Sequence, residues 1–190
     1  MAIVINGSGT VTGLAVGGLP DGTVDAGTLA TDSVTAAKLE VSAITSADLP
    51  TGSVLQVVQN ALNPSAYTTV GQSWAAITDM AVTITPASTS SKVLVTFNCG
   101  GGIVGAATNQ DQIHIRIKRG STVVRELGRY GFNRNDDYSS LPIFLTYLDS
   151  PSTTSATTYT LEMLIDSGSL QINRDAATNG GVSIAQEIAG

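Results

Sequence analysis

The stretch richest in chemically capable side chains runs from residue 125 to residue 138. Three arginines and three aromatic rings stand there beside two adjacent carboxylates: Arg125, Arg129, Tyr130, Phe132, Arg134, Asp136, Asp137 and Tyr138. Arginine and tyrosine are enriched at binding surfaces because each combines a large contact area with a polar tip. A sugar ring could stack on such an aromatic face while its hydroxyls bond to amide and carboxylate groups. We therefore predict a ligand- or receptor-binding loop over residues 129–138, with these contact residues: Arg129, Tyr130, Phe132, Asn133, Arg134 and Asp136. Charge pairing across a subunit contact is an equally weighted alternative for the same loop.

Patterns for catalysis and metal binding are sparse. Cys99 and His114 are the only cysteine and histidine, and no neighbouring pattern supplies a third group to activate a thiol or orient a base. We expect a surface or interface role for His114. Residues 133–137 resemble the start of a calcium loop, but Tyr138 stands where glycine is needed and Phe144 where a bidentate glutamate is needed. The sequence therefore predicts no catalytic residue, no metal site and no cofactor.

Composition indicates which elements must position these residues. The 190 residues include 24 Thr, 19 Ser and 20 Gly, and only 13% are charged, against about 25% in a typical domain. Because β-branched side chains fit a pleated surface, the bias favours strands and turns, and the predicted class is all-β. A net charge of −6 would be repelled by phosphate, so we expect no nucleic-acid partner. Neither a signal peptide nor an apolar run of membrane-spanning length is apparent, so we expect synthesis in a cytoplasm and no membrane insertion.

Two regions with different patterns meet near residue 54. No aromatic residue precedes Tyr67, and eight of the nine Lys and Arg residues lie from Lys92 onward. After residue 54 short strands alternate with turn clusters, and Ile113, Ile115 and Ile117 alternate with polar side chains as in a half-buried antiparallel strand. We predict strands at 54–59, 81–85, 93–97, 113–118, 123–127, 143–148, 158–165, 170–172 and 182–188. Residues 54–190 are therefore predicted to form an antiparallel β-sandwich head of jelly-roll type.

Residues 1–53 contain a regular repeat. One branched apolar side chain appears every five residues, and the series is Leu14, Leu19, Val24, Leu29, Val34, Leu39, Ile44, Leu49 and Val54. A period of five matches neither a lone helix nor a plain strand, and side chains this sparse cannot offset the entropy of ordering an isolated chain. We expect Pro50 and Gly52 to turn the chain, and we expect the series to pack between copies of the protein. A flexible Gly/Ser/Thr linker is the alternative, but it leaves the register unexplained.

The repeat units carry a resemblance. Residues 32–39 (DSVTAAKL) and 42–49 (SAITSADL) resemble the D-G-A-V-T-x-A-K-L repeats near the beginning of many bacteriophage tail fibre proteins. Residues 83–94, 148–160 and 184–188 are similar to distal domains of fibre proteins from phages of aquatic bacteria. The resemblance implies a homotrimer whose repeats form a shaft or virion anchor, and it implies no catalytic residue. At 190 residues the chain is short for a long fibre.

Three functions follow as hypotheses. The first is a non-enzymatic virion protein, a short tail fibre or tail-associated protein that binds other virion proteins through its N-terminal region and a host surface glycan or protein through its head. The second is a capsid decoration protein with the same trimeric knob. The third, a hydrolase of surface polysaccharide, needs two carboxylates several ångströms apart, whereas adjacent residues such as Asp136 and Asp137 diverge.

Overall fold

Two compact units, Met1–Thr45 and Ser46–Gly190, make up the chain. A computed structural model describes residues 4–5, 11–12, 29, 31–35, 39, 43–61, 68–77, 79–104, 110–133, 138–172 and 181–190. The boundary lies before residue 46, whereas the sequence predicts a change of character at residue 54. Hydrogen bonds account for the difference, because Gly52 N donates to Ala189 O and Ala189 N donates to Ser53 O, both at 2.8 Å. These bonds tie the last repeat to the second unit.

In the first unit, the described backbone includes one short antiparallel ladder. Strand β1 (Val4–Ile5) pairs there with β2 (Val11–Thr12). The described repeat residues 29, 31–35, 39 and 43–45 lie in turns, bends and irregular backbone. Asp32 adopts a φ of 61°, a left-handed conformation that aspartate tolerates better than most side chains.

The second unit is a sandwich of two antiparallel sheets, which we call sheet I and sheet II. A short 3-10 helix, Ser46–Asp48, precedes them. Sheet I contains β3 (Val54–Ala61), β4 (Thr68–Val70), β7 (Lys92–Val104), β10 (Tyr138–Asp149), β12 (Ser169–Ile172) and β13 (Val182–Ile188). Sheet II contains β5 (Ala75–Ala76), β6 (Val82–Ile84), β8 (Gln110–Arg119), β9 (Thr122–Asn133) and β11 (Thr157–Ile165). The predicted all-β, jelly-roll-like fold is confirmed.

The long strand β7 is central to sheet I, because β10, β12 and β13 all pair with it. Sheet I runs β3–β13–β7–β12–β4, and β10 pairs with β7 from residue 93 to residue 104. Sheet II runs β5–β11–β8–β9, with β6 also on β11. Chain-consecutive β9 and β10 belong to different sheets, so the chain crosses from sheet II to sheet I between residues 133 and 138.

The core lies between the sheets and is built by alternation. On β8 the side chains of Ile113, Ile115 and Ile117 are buried, while the intervening residues are half-buried on the other face. The inner faces of both sheets join in a single apolar cluster whose largest fully buried side chains include Tyr159, Phe97, Leu161 and Met163. Each such side chain stabilises the fold by about 1.5–3 kcal/mol through its removal from water.

Each of the nine strands predicted from the sequence has a counterpart, from β3 to β13. The short strands β4 and β5 were not predicted, because three and two residues are too few to show an alternation.

Two turns contain a glycine at positive φ. Gly120 takes a φ of 55° between β8 and β9, and Gly52 takes a φ of 91° where Ser53 N donates to Pro50 O at 3.1 Å. Both positions favour glycine because a Cβ atom is strained at positive φ.

Candidate functional site

The predicted binding loop is in large part a strand. Residues 129–133 continue β9, where Phe132 pairs with Asp111 and Tyr130 with Ile113. Tyr138 begins β10. This corrects the loop expectation for Arg129, Tyr130, Phe132 and Asn133. The reason is that β8 begins at Gln110, so its first residues form backbone pairs with residues 130–133 of β9. The residue types of this polar segment do not indicate that pairing. Arg134 and Asp136 lie outside the described residues, so the contact roles of all six remain predictions.

Sheet II presents a charged outer face, which we call the ion-pair face: His114, Arg116, Lys118, Glu162 and Asp166. Alternation on β8 turns the first three outward, as predicted, and the pairing of β11 with β8 places Glu162 directly opposite Arg116. Asp166 follows the end of β11. The contribution of β11 to this face was not predicted, because it depends on the register between strands distant in sequence.

Glu162 is the centre of the ion-pair face. Its Oε2 accepts a hydrogen bond from Arg116 Nε at 2.7 Å, and its Oε1 accepts one from Lys118 Nζ at 3.2 Å. The side chain of Glu162 is only 13% exposed. Burial by itself raises the pKa of the Glu162 carboxyl, but the hydrogen bonds and charges of Arg116 and Lys118 outweigh it and hold the pKa below its ordinary value. The face therefore neutralises its own charge.

An aromatic ring completes this surface. The guanidinium carbon of Arg116 lies 4.1 Å from the ring centroid of Trp74, within the range of a cation–π contact. The edge of the Trp74 ring also meets His114, with centroids 6.3 Å apart and planes at 81°. His114 Nε2 lies 3.0 Å from Asp166 Oδ1. The structure thus places His114 on the surface, in a network of polar and aromatic groups, as the sequence indicates.

Cys99 and His114 lie on different sheets, and one points into the core while the other points out of it. Cys99 lies on the inner face of β7, and burial raises the pKa of its thiol to about 12. His114 projects outward from β8. A thiol and base pair between them is therefore excluded by the fold, and the protonated thiol serves as a small apolar core group.

Two buried carboxylates, Asp149 and Glu187, accept hydrogen bonds within the sandwich. Asp149 Oδ2 on β10 accepts hydrogen bonds from Arg119 Nη1 and from Tyr159 Oη, both at 2.7 Å, and so links sheet I to sheet II. Burial, followed by the bond to Asp149, raises the pKa of the Tyr159 hydroxyl. Glu187 accepts hydrogen bonds from Gln56 Nε2 at 2.6 Å and from Ala87 N at 2.7 Å. Their burial within hydrogen-bonded clusters assigns both carboxylates to stability.

The apolar repeat series is exposed wherever the structure describes it. Leu29, Val34, Leu39, Ile44, Leu49 and Val54 are between 39% and 58% exposed in the single chain. Leu14, Leu19 and Val24 lie outside the described residues. Leu49 also borders a cavity of about 430 Å³ beside the C-terminal residues Ala189 and Gly190. Six large apolar side chains at a fixed spacing thus lack an intramolecular cover.

The described part of the chain lacks two kinds of feature, a cluster of metal ligands and a membrane-spanning helix. No group of three or more His, Cys, Asp or Glu side chains is arranged to hold a metal ion there. Among the same residues no helix is long and apolar enough to cross a bilayer. The calcium-loop-like segment includes residues 134–137, which lie outside the described ranges.

Comparisons with known proteins give distant structural likenesses. No protein-family model matches the chain, and no curated protein matches it. A structure of the infectious bursal disease virus Gx strain aligns at TM-score 0.36 and 12% identity, over 72% of this chain and 38% of that one. A VP2 subviral particle of the same virus aligns at TM-score 0.32 and 14% identity, over 73% and 38%. A Bacillus endospore appendage pilus aligns at TM-score 0.33 and 10% identity, over 74% and 94%. This chain spans well under half the length of the viral chains.

Proposed function

We propose that this chain is a non-enzymatic structural protein of a bacteriophage virion, a short tail fibre or tail-associated protein that assembles as a homotrimer. The observation that carries the proposal is the exposure of the repeat series, from Leu29 to Val54, in the single chain. Its five-residue spacing matches no intramolecular face, so neighbouring copies are the cover that fits it. The resemblance of residues 32–49 to phage fibre repeats supports a virion context and threefold symmetry.

Energetics favour packing between copies. Complete burial of one Val, Leu or Ile side chain stabilises an assembly by about 1.5–3 kcal/mol. Six such positions are described in each chain, so burying them between three copies would offset part of the cost of ordering a repeat that lacks its own core. A solitary chain would leave that surface in water. Assembly and ordering of the repeats are therefore expected to occur together.

The two units take different roles in this proposal. The N-terminal repeats join copies and attach the protein to other virion proteins, and the sandwich faces the host. Contact with a surface glycan or protein is assigned to Arg129, Tyr130, Phe132, Asn133, Arg134 and Asp136. Three copies around one axis would raise a weak affinity at each site through their effective concentration.

Light scattering of the full chain tests the proposal. We expect a mass of about 58 kDa, three times 19.4 kDa, at micromolar concentration. The double variant Val34→Asp/Leu39→Asp should dissociate, because charge in a packed apolar seam is costly. Its control is Thr31→Asp/Thr35→Asp, which adds the same charge at exposed polar positions of the same repeats.

Two results would contradict the proposal. A wild-type mass near 19.4 kDa would remove self-assembly altogether. A trimeric Val34→Asp/Leu39→Asp variant would show that the repeats do not join the copies. Antibody labelling of intact particles then places the protein, and label over the capsid shell would replace the tail-fibre role with capsid decoration.

A further inference from the structure

The outer face of sheet I carries almost no charge. We call it the uncharged face, and it spans four neighbouring strands, β3, β13, β7 and β10. Antiparallel registers set its side chains in rows: Ala61–Val182–Asn98–Phe144, then Gln59–Ile184–Thr96–Thr146, then Val57–Gln186–Leu94–Leu148. Val54, Ile188 and Lys92 form the last row. Of these fifteen side chains Lys92 alone is charged, and it stands at the end of its strand.

Four large apolar side chains on this face are exposed. Phe144 is 69% exposed, the largest value among the large apolar residues the structure describes, and Val57 is 55% exposed. Val54 and Leu148 are exposed on the same face. Outside the repeats, the only other exposed large apolar side chain in the described residues is Val123 on sheet II. The exposed apolar surface of the sandwich is therefore concentrated on the uncharged face.

Along the strands of an antiparallel sheet with one solvated face, apolar side chains normally point to the core and polar ones to water. The outer face of sheet II is polar, as this rule predicts. The outer face of sheet I is not, because many of its outward side chains are apolar. Four strands about 4.8 Å apart and seven residues of about 3.4 Å each give the uncharged face an area of about 450 Å². Nine of its fifteen side chains are apolar, and apolar patches of about 300–600 Å² on a monomer are often functional. We infer that the uncharged face is an interface at which a second copy of this chain packs against the sandwich.

Continuity with the repeat identifies the occupant. Val54 is the last residue of the five-residue series and also the first residue of β3, where it pairs with Ile188 on the uncharged face. The last position of the apolar series that the proposed function assigns to contacts between copies thus lies on this sheet. The inference rests on that proposed self-assembly and extends it from the repeats into the head.

Charge also favours a second copy. An apolar face matches a partner surface that leaves no charge unpaired, because a desolvated lone charge is costly. The uncharged faces of three copies turned toward a common axis meet that condition, whereas burial of the ion-pair face would desolvate its paired charges. A standard interface buries about 800 Å² on each partner, so this face supplies roughly half of one and the repeats supply the remainder. Both surfaces together hold the copies in one assembly.

The first test places a charge on each outer face of the full chain. Val57→Glu and Phe144→Glu put a carboxylate on the uncharged face, and Val123→Glu is the matched control. Val123 is an exposed strand valine that pairs with Lys118 on the ion-pair face. Sedimentation velocity over a concentration series should show the midpoint of dissociation raised at least about tenfold for Val57→Glu and Phe144→Glu. Val123→Glu should assemble like the wild type.

The second test reads proximity and does not depend on charge. Thr146→Cys places a thiol on the uncharged face between Phe144 and Leu148, and Thr160→Cys places one on the outer face of sheet II, opposite Lys118. Buried Cys99 does not compete for the oxidant. Mild oxidation should yield a covalent dimer on a denaturing gel for Thr146→Cys and none for Thr160→Cys.

The outcomes separate this inference from the proposed function. If Val57→Glu and Phe144→Glu assemble normally and Thr146→Cys does not cross-link, the interface inference is overturned, and Val34→Asp/Leu39→Asp still tests the repeats. If the charged face variants dissociate while the repeat variant stays assembled, the inference stands and the repeat-based assembly fails. A wild type that is monomeric throughout the concentration series overturns both. Unchanged thermal melting of Val57→Glu, followed by circular dichroism, ties its dissociation to the interface.

Discussion

The outer faces of the two sheets differ in charge. On sheet II, Arg116 and Lys118 bind Glu162, and His114 lies beside Asp166. On sheet I, the uncharged face formed by β3, β13, β7 and β10 presents a single charge, Lys92. Both faces arise from the same alternation, with every second side chain directed away from the core. Their difference teaches that alternation decides which residues point outward and that residue type decides what the outward face meets. Paired charges suit a hydrated surface, and exposed Val, Leu and Phe side chains suit a covered one.

The interior supplies a third setting for charge and the largest expected effect. Asp149→Ala would leave Arg119 without its buried partner and Tyr159 without its acceptor, and we expect a loss of about 3–5 kcal/mol in the free energy of unfolding. Chemical denaturation measures this loss. Asp166→Ala is the matched control on the ion-pair face, where the carboxylate is 43% exposed and the expected loss is about 0–1 kcal/mol. Equal losses would show that burial does not separate the two carboxylates.

Acid should weaken the sandwich through Glu162 and Glu187. Hydrogen-bond partners hold both carboxyl pKa values below the ordinary value, against the opposing effect of burial. A depressed folded pKa adds stability above the unfolded pKa of about 4.3, and that stability is lost as the pH falls through the folded pKa. We expect denaturation midpoints that are flat from pH 7 to pH 5 and fall steeply below about pH 4. Glu162→Gln should show a shallower fall, and an unchanged slope would remove its ion pairs from the explanation.

Arg116→Lys should give the smallest of these effects. Lysine keeps the charge beside Glu162 but loses the planar guanidinium that stacks on Trp74, so we expect a loss of about 1 kcal/mol. Trp74 is the only tryptophan, so a shift of its fluorescence reports the change directly. Arg125→Lys, at an exposed position, is the control.

High salt should reduce the stabilisation that the ion pairs of the ion-pair face contribute, because salt screens exposed charges. Assembly through the uncharged face should stay unchanged. The reverse pattern would contradict the comparison of the two faces.

Much of the head could be predicted because its strands are long enough to show alternation. The spacing of Ile113, Ile115 and Ile117 fixes both the strand and its buried face. The shortest strands and the extension of β9 through Arg129, Tyr130 and Phe132 could not be predicted in this way. Their backbone pairing depends on partners distant in sequence, and local residue types do not report that pairing.

The sequence by itself determined the all-β class, the five-residue apolar series and the outward direction of His114, Arg116 and Lys118, because each of these depends on spacing along one chain segment. Only the tertiary structure decided that Glu162 stands opposite Arg116, that Asp149 links the two sheets, and that Phe144, Leu148, Val57 and Val54 share one face. These relations depend on strand order and register. The physical reason is that the pairing of a strand depends on burying the whole apolar face of the sheet. That burial involves strands distant in sequence, so no single segment determines it.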